Sequence, residues 1–362
     1  MSMITARAAT EGSATAAARP LLPPRPDAAI HSELRPLSEC EAIRREWTEL
    51  AGRALEANPC LEPGFALPAA QHLVSFRDAA LMLLWQGDPG SQRRHLVGLV
   101  PCRRRRRLFA AEALEGFADP RLMNGTPLID GNLAAPALAA FLRGWQGPAA
   151  GSFTLSGLDP AGAFAATLAR VAEGQGVTLA WQPLPGHRPA APAAEESPRE
   201  KGRLSLVEAI NQADRRDAVE IMLALEASGA RGRAGQATLQ DTREVGFLRS
   251  MSRDLGRRKL CRPTLLTLDG RPIAGALTLG RGASSWLYLG VADEAFAPLA
   301  PLAVLLAMMR KAAPSRRILL PGGFGTLRLA GPRPQRPAAL AARLGERIGR
   351  PLFRLRPAAA DG

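Results

Sequence analysis

Residues 262–311 read RPTLLTLDGRPIAGALTLGRGASSWLYLGVADEAFAPLAPLAVLLAMMRK, and the fold follows from this stretch. Arg262 to Leu268 is a β-rich run, Asp269-Gly270 is a tight-turn pair, and Arg271 to Leu279 is a second run of similar length. That pattern predicts a hairpin. Ser285 to Val291 predicts a third strand, completing an antiparallel meander. After the polar break at Asp293-Glu294, Pro301 opens an apolar run through Met309 that ends in Arg310 and Lys311, with Pro314 beyond. Proline in the first turn, cations in the last and a proline past the end predict a short buried helix directly after a strand.

Working back from this stretch, Asp241 to Arg257 predicts a helix with Val245, Leu248, Met251 and Leu255 on its inner face. A helix before it runs to about Ala227, capped by Asp214 with Asp217, with Ala218, Ile221, Met222 and Leu225 inward. Beyond the opening stretch, Arg317 to Leu320 reads as a short strand, PGGFG as a flexible turn and Pro337 to Ile348 as a closing amphipathic helix.

The first half of the chain repeats this outline. Ser38 to Ala57 predicts a helix opened by a Ser38/Glu41 capping box, and Pro68 to Val74 a second short one. Ala80 to Gln86 and His95 to Cys102 flank GDPGSQRR as another hairpin. Leu122 to Asp130 predicts an irregular strand and loop. Leu133 to Trp145 and Pro160 to Glu173 predict helices, and Gly151 to Leu158 and Val177 to Pro183 strands. Residues 1–30 are expected to be a disordered tail and 185–203, rich in Pro, Ala and charge, a linker, dividing the chain into an N-terminal domain of 31–184 and a C-terminal domain of 204–362.

Composition narrows the function classes. A chain of 362 residues, 46% hydrophobic, has core material for two domains. Its formal net charge of +14 comes almost wholly from arginine, which is compatible with phosphate-bearing ligands. No helix-turn-helix, zinc or aromatic-stacking pattern accompanies it, so specific nucleic-acid binding is not expected. Five consecutive arginines, Arg103 to Arg107, read either as an anion patch or as a solvated strand edge that discourages edge pairing. Cys40, Cys60, Cys102 and Cys261 and the four histidines are dispersed, so neither a disulfide scaffold nor a metal site is expected. The sequence shows no signal peptide and no run long enough to span a membrane, which makes a cytoplasmic protein the expectation.

From Leu225 to Met309 the chain resembles the CelD-like acyltransferases, a group of the GNAT superfamily. Leu225-Glu226, Gly229, Gly232 and Gly235, the run Asp269-Gly270-Arg271-Pro272-Ile273-Ala274, Tyr288 and Pro301 follow that family's order of motifs. Trp47, Asn58-Pro59 and Thr126 to Asp130 are similar in the first half. The resemblance implies an α/β fold of two GNAT-like units in tandem, with mixed, mostly antiparallel sheets covered by helices. It also implies an N-acyltransferase that moves an acyl group from acetyl-CoA or another acyl-CoA to an amine, with no metal.

Such chemistry needs a base for the amine and an acid for the leaving thiolate. The resemblance points to Glu226 as base and Tyr288 as acid, with Asp293 and Glu294 as alternative carboxylates. The cofactor would lie along Leu289 and Val291 and reach the amides of Leu299, Ala300, Leu302 and Ala303 at the following helix start. The chain departs from the family there. Ala297 to Leu302 contains no glycine, and Pro298 and Pro301 cannot donate hydrogen bonds. Ala230-Arg231 stands where the family has Trp-Lys, and the basic helix that precedes the Leu-Glu motif is reduced to Glu200 to Ile210. The rival expectation is a catalytically silent binding or scaffold protein of polysaccharide or envelope synthesis.

Overall fold

A computed structural model of the chain describes residues 29–88, 94–107, 110–145, 152–183, 201–320 and 324–331. Residues 1–28 of the tail, nearly all of the linker and the helix expected at Pro337 to Ile348 lie outside the described residues, while Ile30, expected in the tail, opens the first strand.

The first half contains β1 (Ile30–Pro36), α1 (Arg44–Arg53), α2 (Pro63–His72), β2 (Ala79–Gln86), β3 (His95–Arg107), β4 (Ala110–Gly116), β5 (Leu128–Ile129), α3 (Ala134–Trp145), β6 (Ser152–Leu158), α4 (Ala163–Glu173) and β7 (Thr178–Pro183). In the second are β8 (Leu204–Glu208), α5 (Gln212–Ser228), the one-turn α6 (Ala230–Arg233), α7 (Thr242–Arg257), β9 (Cys261–Leu268), β10 (Arg271–Leu279), β11 (Ser284–Ala292), α8 (Pro301–Ala312), β12 (Arg317–Leu319) and β13 (Gly325–Ala330). Each half opens with a strand, two helices, three antiparallel strands, a helix and a further strand. The sheet orders match as well: β1-β2-β3-β4 in the first half, with β5 also on β3, and β8-β9-β10-β11-β12 in the second.

Local chemistry accounts for the meander. Asp269 and Gly270 both take positive φ, 50° and 84°, the conformation a two-residue hairpin turn needs. Arg271 therefore pairs with Leu268, and β10 continues against β9 as far as Leu279 with Cys261. Asp241 caps α7 by accepting from the amides of Arg243 and Glu244, and Val245, Leu248, Met251 and Leu255 are all buried.

Burial on two faces explains the uninterrupted apolar run of β2. Leu81, Leu83 and Trp85 enter a core shared with α1, α2, α5, α7 and one face of β9–β11. Ala80, Met82 and Leu84 face a second core with α3, α4, β6, β7 and β13. On the far side, α8 closes a third core over the opposite face of β9–β11. The middle layer thus joins the halves, since α2 and α7 pack together within it.

Four local expectations are corrected. Residues 37–43 form a 3-10 helix rather than the start of an α-helix, and Ser38 does not cap it. Leu37, Cys40 and Ile43, buried at every third position, carry the 3-10 period. Asn211, not Asp214, caps α5, its side chain accepting from the Asp214 amide at 2.9 Å. The second short helix starts at Pro63 and runs through Pro68 to His72. The stretch expected as a reduced helix at 200–210 contains strand β8, paired with β9.

The largest departure lies beyond PGGFG. Gly325–Ala330 is a strand, and it inserts between β6 and β7 of the first half, antiparallel to both. Residues near the end of the second half thus complete a sheet of the first. The arginine run belongs to β3, where Arg103 pairs across to Glu115 on β4 with an ion pair of 2.5 Å.

Candidate active site

Strand β11 sets up the site. It runs parallel to β12, but only Ser284–Trp286 pair with Arg317–Leu319, so the rest of β11 continues to Ala292 without that neighbour. Against β10 its register jumps between the pairs Leu277/Leu289 and Thr278/Leu287, which makes Tyr288 the extra residue of a β-bulge. A bulge bends its strand and re-aims the bulged side chain. Tyr288 turns toward the shared core, edge-on to Phe65 at 5.8 Å and to Phe247 at 6.4 Å.

Beside this bulge opens a cleft of about 890 Å³. Glu226 from the last turn of α5, Thr238 from the loop that follows and Phe247 from α7 form one side; Tyr288 and Leu289 form another; Pro120, Arg121 and Met123 from the first half close it. The cleft therefore brings both expected catalytic residues to one cavity, 62 positions apart in sequence.

Glu226 is a buried carboxylate, with its side chain 3% exposed. Its Oε2 accepts from the Thr238 amide at 2.9 Å, while Oε1 has no hydrogen-bond partner among the described residues. Arg231 Nη1 lies 3.3 Å from that Oε1 as an ion-pair neighbour. A buried carboxylate oxygen without a hydrogen bond is costly; here the Arg231 charge stands beside it, and Glu226 as a residue lines a cavity large enough for a ligand. Burial pushes the Tyr288 phenol far above its ordinary range, with Cys60 and Glu244 adding to the shift and Arg121 opposing it. The phenol is thus a protonated donor at neutral pH. Burial also raises the Cys60 thiol to about 12, so it stays protonated beside Tyr288.

Arg121 links the halves across the cleft. It ion-pairs with Asp119 at 3.2 Å and contacts Glu244 on α7 through two guanidinium nitrogens. The Arg121–Glu244 link is not legible in the sequence because its partners lie 123 positions apart, and the Thr238 amide on Glu226, 12 positions away, depends on how the chain turns between α5 and α7. The alternative carboxylates serve as caps. Asp293 accepts from the Ala295 amide at 3.0 Å and binds Arg271 at 2.8 Å. Glu294 accepts from the Ala230 amide at the start of α6 and pairs with Arg233 at 2.6 Å, which lowers its pKa.

The residues expected to hold a cofactor divide. Leu289 lines the cleft, whereas Val291 is buried in the shared core. Leu299 is buried against α8 and β9–β11, and Ala300, left-handed at φ 45°, donates its amide to Ala297. Leu302 packs over Gly290 on β11. The amides of Leu302 and Ala303 sit in the first turn of α8, where no intrahelical acceptor reaches them. Among the described residues neither amide has an acceptor, but Leu302 covers the adjoining strand.

Residues 196–320, about a third of the chain, match the acetyltransferase (GNAT) domain family. The fold is GNAT-like. Its strand order, parallel β11/β12 pair and repeated halves make it a tandem α/β arrangement of mixed, mostly antiparallel sheets covered by helices. No curated protein sequence matches the chain. Among solved structures, FemX is similar at 10% identity over 83% of this chain and 91% of that one, with a TM-score of 0.43. The C-terminal domain of a lysylphosphatidylglycerol synthetase assigned in Agrobacterium fabrum is similar at 11% identity over 85% and 96%, TM-score 0.41. A tandem GNAT protein of the clavulanic acid pathway reaches 16% over 87% and 94%, TM-score 0.31. Likenesses this loose add nothing to the topology; the GNAT-like reading rests on the strand order and the family match.

Proposed function

We propose that this protein is an N-acyltransferase of the CelD-like group, transferring an acyl group from an acyl-CoA to an amine in the cleft between its halves. The observation that carries the reading is the buried carboxylate of Glu226, which lines the same cavity as the Tyr288 bulge and whose Oε1, beside Arg231, makes no hydrogen bond to a described residue. An ammonium acceptor entering the cleft gives its proton to Glu226, directly or through a water. The freed amine attacks the thioester carbonyl, the C–S bond breaks as the tetrahedral intermediate collapses to the amide, and the second proton shed by the nitrogen passes to the Tyr288 hydroxyl as that hydroxyl gives its own proton to the departing thiolate, leaving Tyr288 neutral. Arg231 and the Thr238 amide hold the Glu226 carboxylate in place throughout.

The units are a GNAT-like N-terminal domain of 31–184 and a C-terminal acyltransferase domain of 204–362 joined by 185–203, with β13 reaching back into the first. Among the described residues no helix is long and apolar enough to cross a membrane, in keeping with cytoplasmic residence as part of the proposal.

The packing of Leu299 and Leu302 at the start of α8 favours a second reading, a catalytically silent protein that binds or scaffolds in polysaccharide or envelope synthesis. Titration calorimetry with acetyl-CoA and longer acyl-CoAs separates the two, because a scaffold shows no binding. For the enzyme, Glu226→Gln is expected to lower kcat about 10²–10⁴-fold with acyl-CoA affinity nearly unchanged. An unchanged kcat removes Glu226 from the base role.

A further inference from the structure

Three arginines converge on a second cleft between the halves, of about 720 Å³, at the paired end of β11 and β12. Arg281 comes from the β10–β11 turn, Arg310 from the last turn of α8 and Arg317 from the start of β12. Two of them are fixed together by backbone: the Arg317 amide donates to the Ala283 carbonyl at 2.7 Å, and Arg317 pairs with Ser284. All three side chains are exposed, and none makes a hydrogen bond or ion pair to a described residue. Glu62, whose charge Arg281 feels, is already bound by Arg258.

The opposite wall is rigid and its acids are engaged. Asn58 Nδ2 donates to the carbonyls of Asn124 and Thr126, at 2.9 and 2.8 Å, pinning that segment. Glu56 accepts from the Phe164 amide at 2.7 Å in the first turn of α4, and Asp159 accepts from the Ala161 amide at 2.9 Å just before it. Burial, with the Asp159 charge beside it, raises the Glu56 carboxyl above its ordinary range, and the Phe164 and Ala163 amides at the start of α4 oppose that shift. Trp286 and Phe324, ring centroids 4.9 Å apart, complete the lining. A concave site with three unpaired guanidiniums concentrates positive potential, and guanidinium forks match phosphate oxygens.

We propose that the cleft of Arg281, Arg310 and Arg317 binds the phosphate groups of a small phosphate-bearing ligand. This is a place for phosphate separate from the start of α8, where Leu302 covers the strand, and it does not depend on the acyl-transfer reading. Trp286 lies two residues along β11 from Tyr288, about 7 Å in an extended strand, so a ligand held here is close to the other cleft.

Inorganic pyrophosphate at low ionic strength, followed by calorimetry on the full chain, is the test. Arg281→Gln/Arg310→Gln/Arg317→Gln is expected to weaken pyrophosphate binding at least about tenfold, with the melting temperature held because these side chains are exposed. As a control, Arg216→Gln/Arg253→Gln removes charge from the groove between α5 and α7 and is expected to change binding less than about twofold. A wild-type chain that does not bind pyrophosphate, or a control that loses as much as the triple variant, overturns the site. Acetyl-CoA titrated into the same variants identifies the source. Parallel loss shows that the site takes the donor's phosphates; loss for pyrophosphate alone shows that it takes those of another ligand. Both results support a phosphate site, and either can be obtained whether or not Glu226→Gln affects transfer.

Discussion

Leu302 lies directly over Gly290: a Cβ placed on Gly290 would sit 2.9 Å from Leu302 Cδ2 and 3.2 Å from Cδ1. The first turn of α8 is thereby packed onto β11 at the level where that strand has left β12. A helix start with free amides beside an open strand is an anion site; here a leucine fills the strand side of it.

Removing that side chain is expected to open the site. Leu302→Ala should raise the affinity for acetyl-CoA in calorimetry, at a stability cost of about 2 kcal/mol in urea unfolding, since Leu302 is partly buried. An affinity that stays level or falls shows that Leu302 is not the obstacle.

Tyr288 is the only tyrosine of the chain, so tyrosinate absorbance reports this one phenol. Its ordinary value is about 10, and burial holds it well above that in the folded protein. The folded state therefore keeps a proton that the unfolded state loses as pH rises past about 10. Stability is level with respect to this group below that pH and declines above it. A spectrophotometric titration should show no ionisation near pH 10 until the chain unfolds; ionisation of the folded protein at its ordinary pH places the phenol in water.

The first half depends on residues from the far end of the chain. Leu327 and Leu329 are fully buried in the core that also holds Phe153 and Leu155. Leu327→Ala is expected to cost about 2–5 kcal/mol, and a chain ending at Leu320 should lose cooperative unfolding of the first half. If that shortened chain melts like the intact protein, β13 is dispensable.

Arg258 on the C-terminal end of α7 binds Glu62, whose side chain is 8% exposed at the start of α2. Arg258→Met leaves that carboxylate buried and unpaired, with an expected loss of about 3–5 kcal/mol. Adding Glu62→Gln should recover much of the loss. A denaturant double-mutant cycle measures the coupling, and additive losses would show that the pair does not couple.

The parts of this structure visible in the sequence are those governed by near neighbours. The hairpin at Asp269-Gly270, the Asp241 cap with its buried face, and Pro301 opening α8 each rest on residues within a turn or two of one another. Strand β13 escaped because GTLRLA follows a glycine-rich turn and its partners lie over 140 positions earlier. The capping of α5 passed to Asn211 because backbone geometry, not the order of acids, decides which side chain reaches a free amide.

For the site, the sequence by itself placed Glu226 near a helix end and Tyr288 on a strand, through motif order and residue type. Only the tertiary structure decided that they share a cavity, that Arg121 and Glu244 bridge it, that Leu302 closes the start of α8 and that three arginines meet at the other end of β11. The reason is physical. A strand or cap is fixed by short-range torsional and hydrogen-bond preferences, whereas a cleft is the space left between surfaces whose approach is set by the burial of distant apolar side chains.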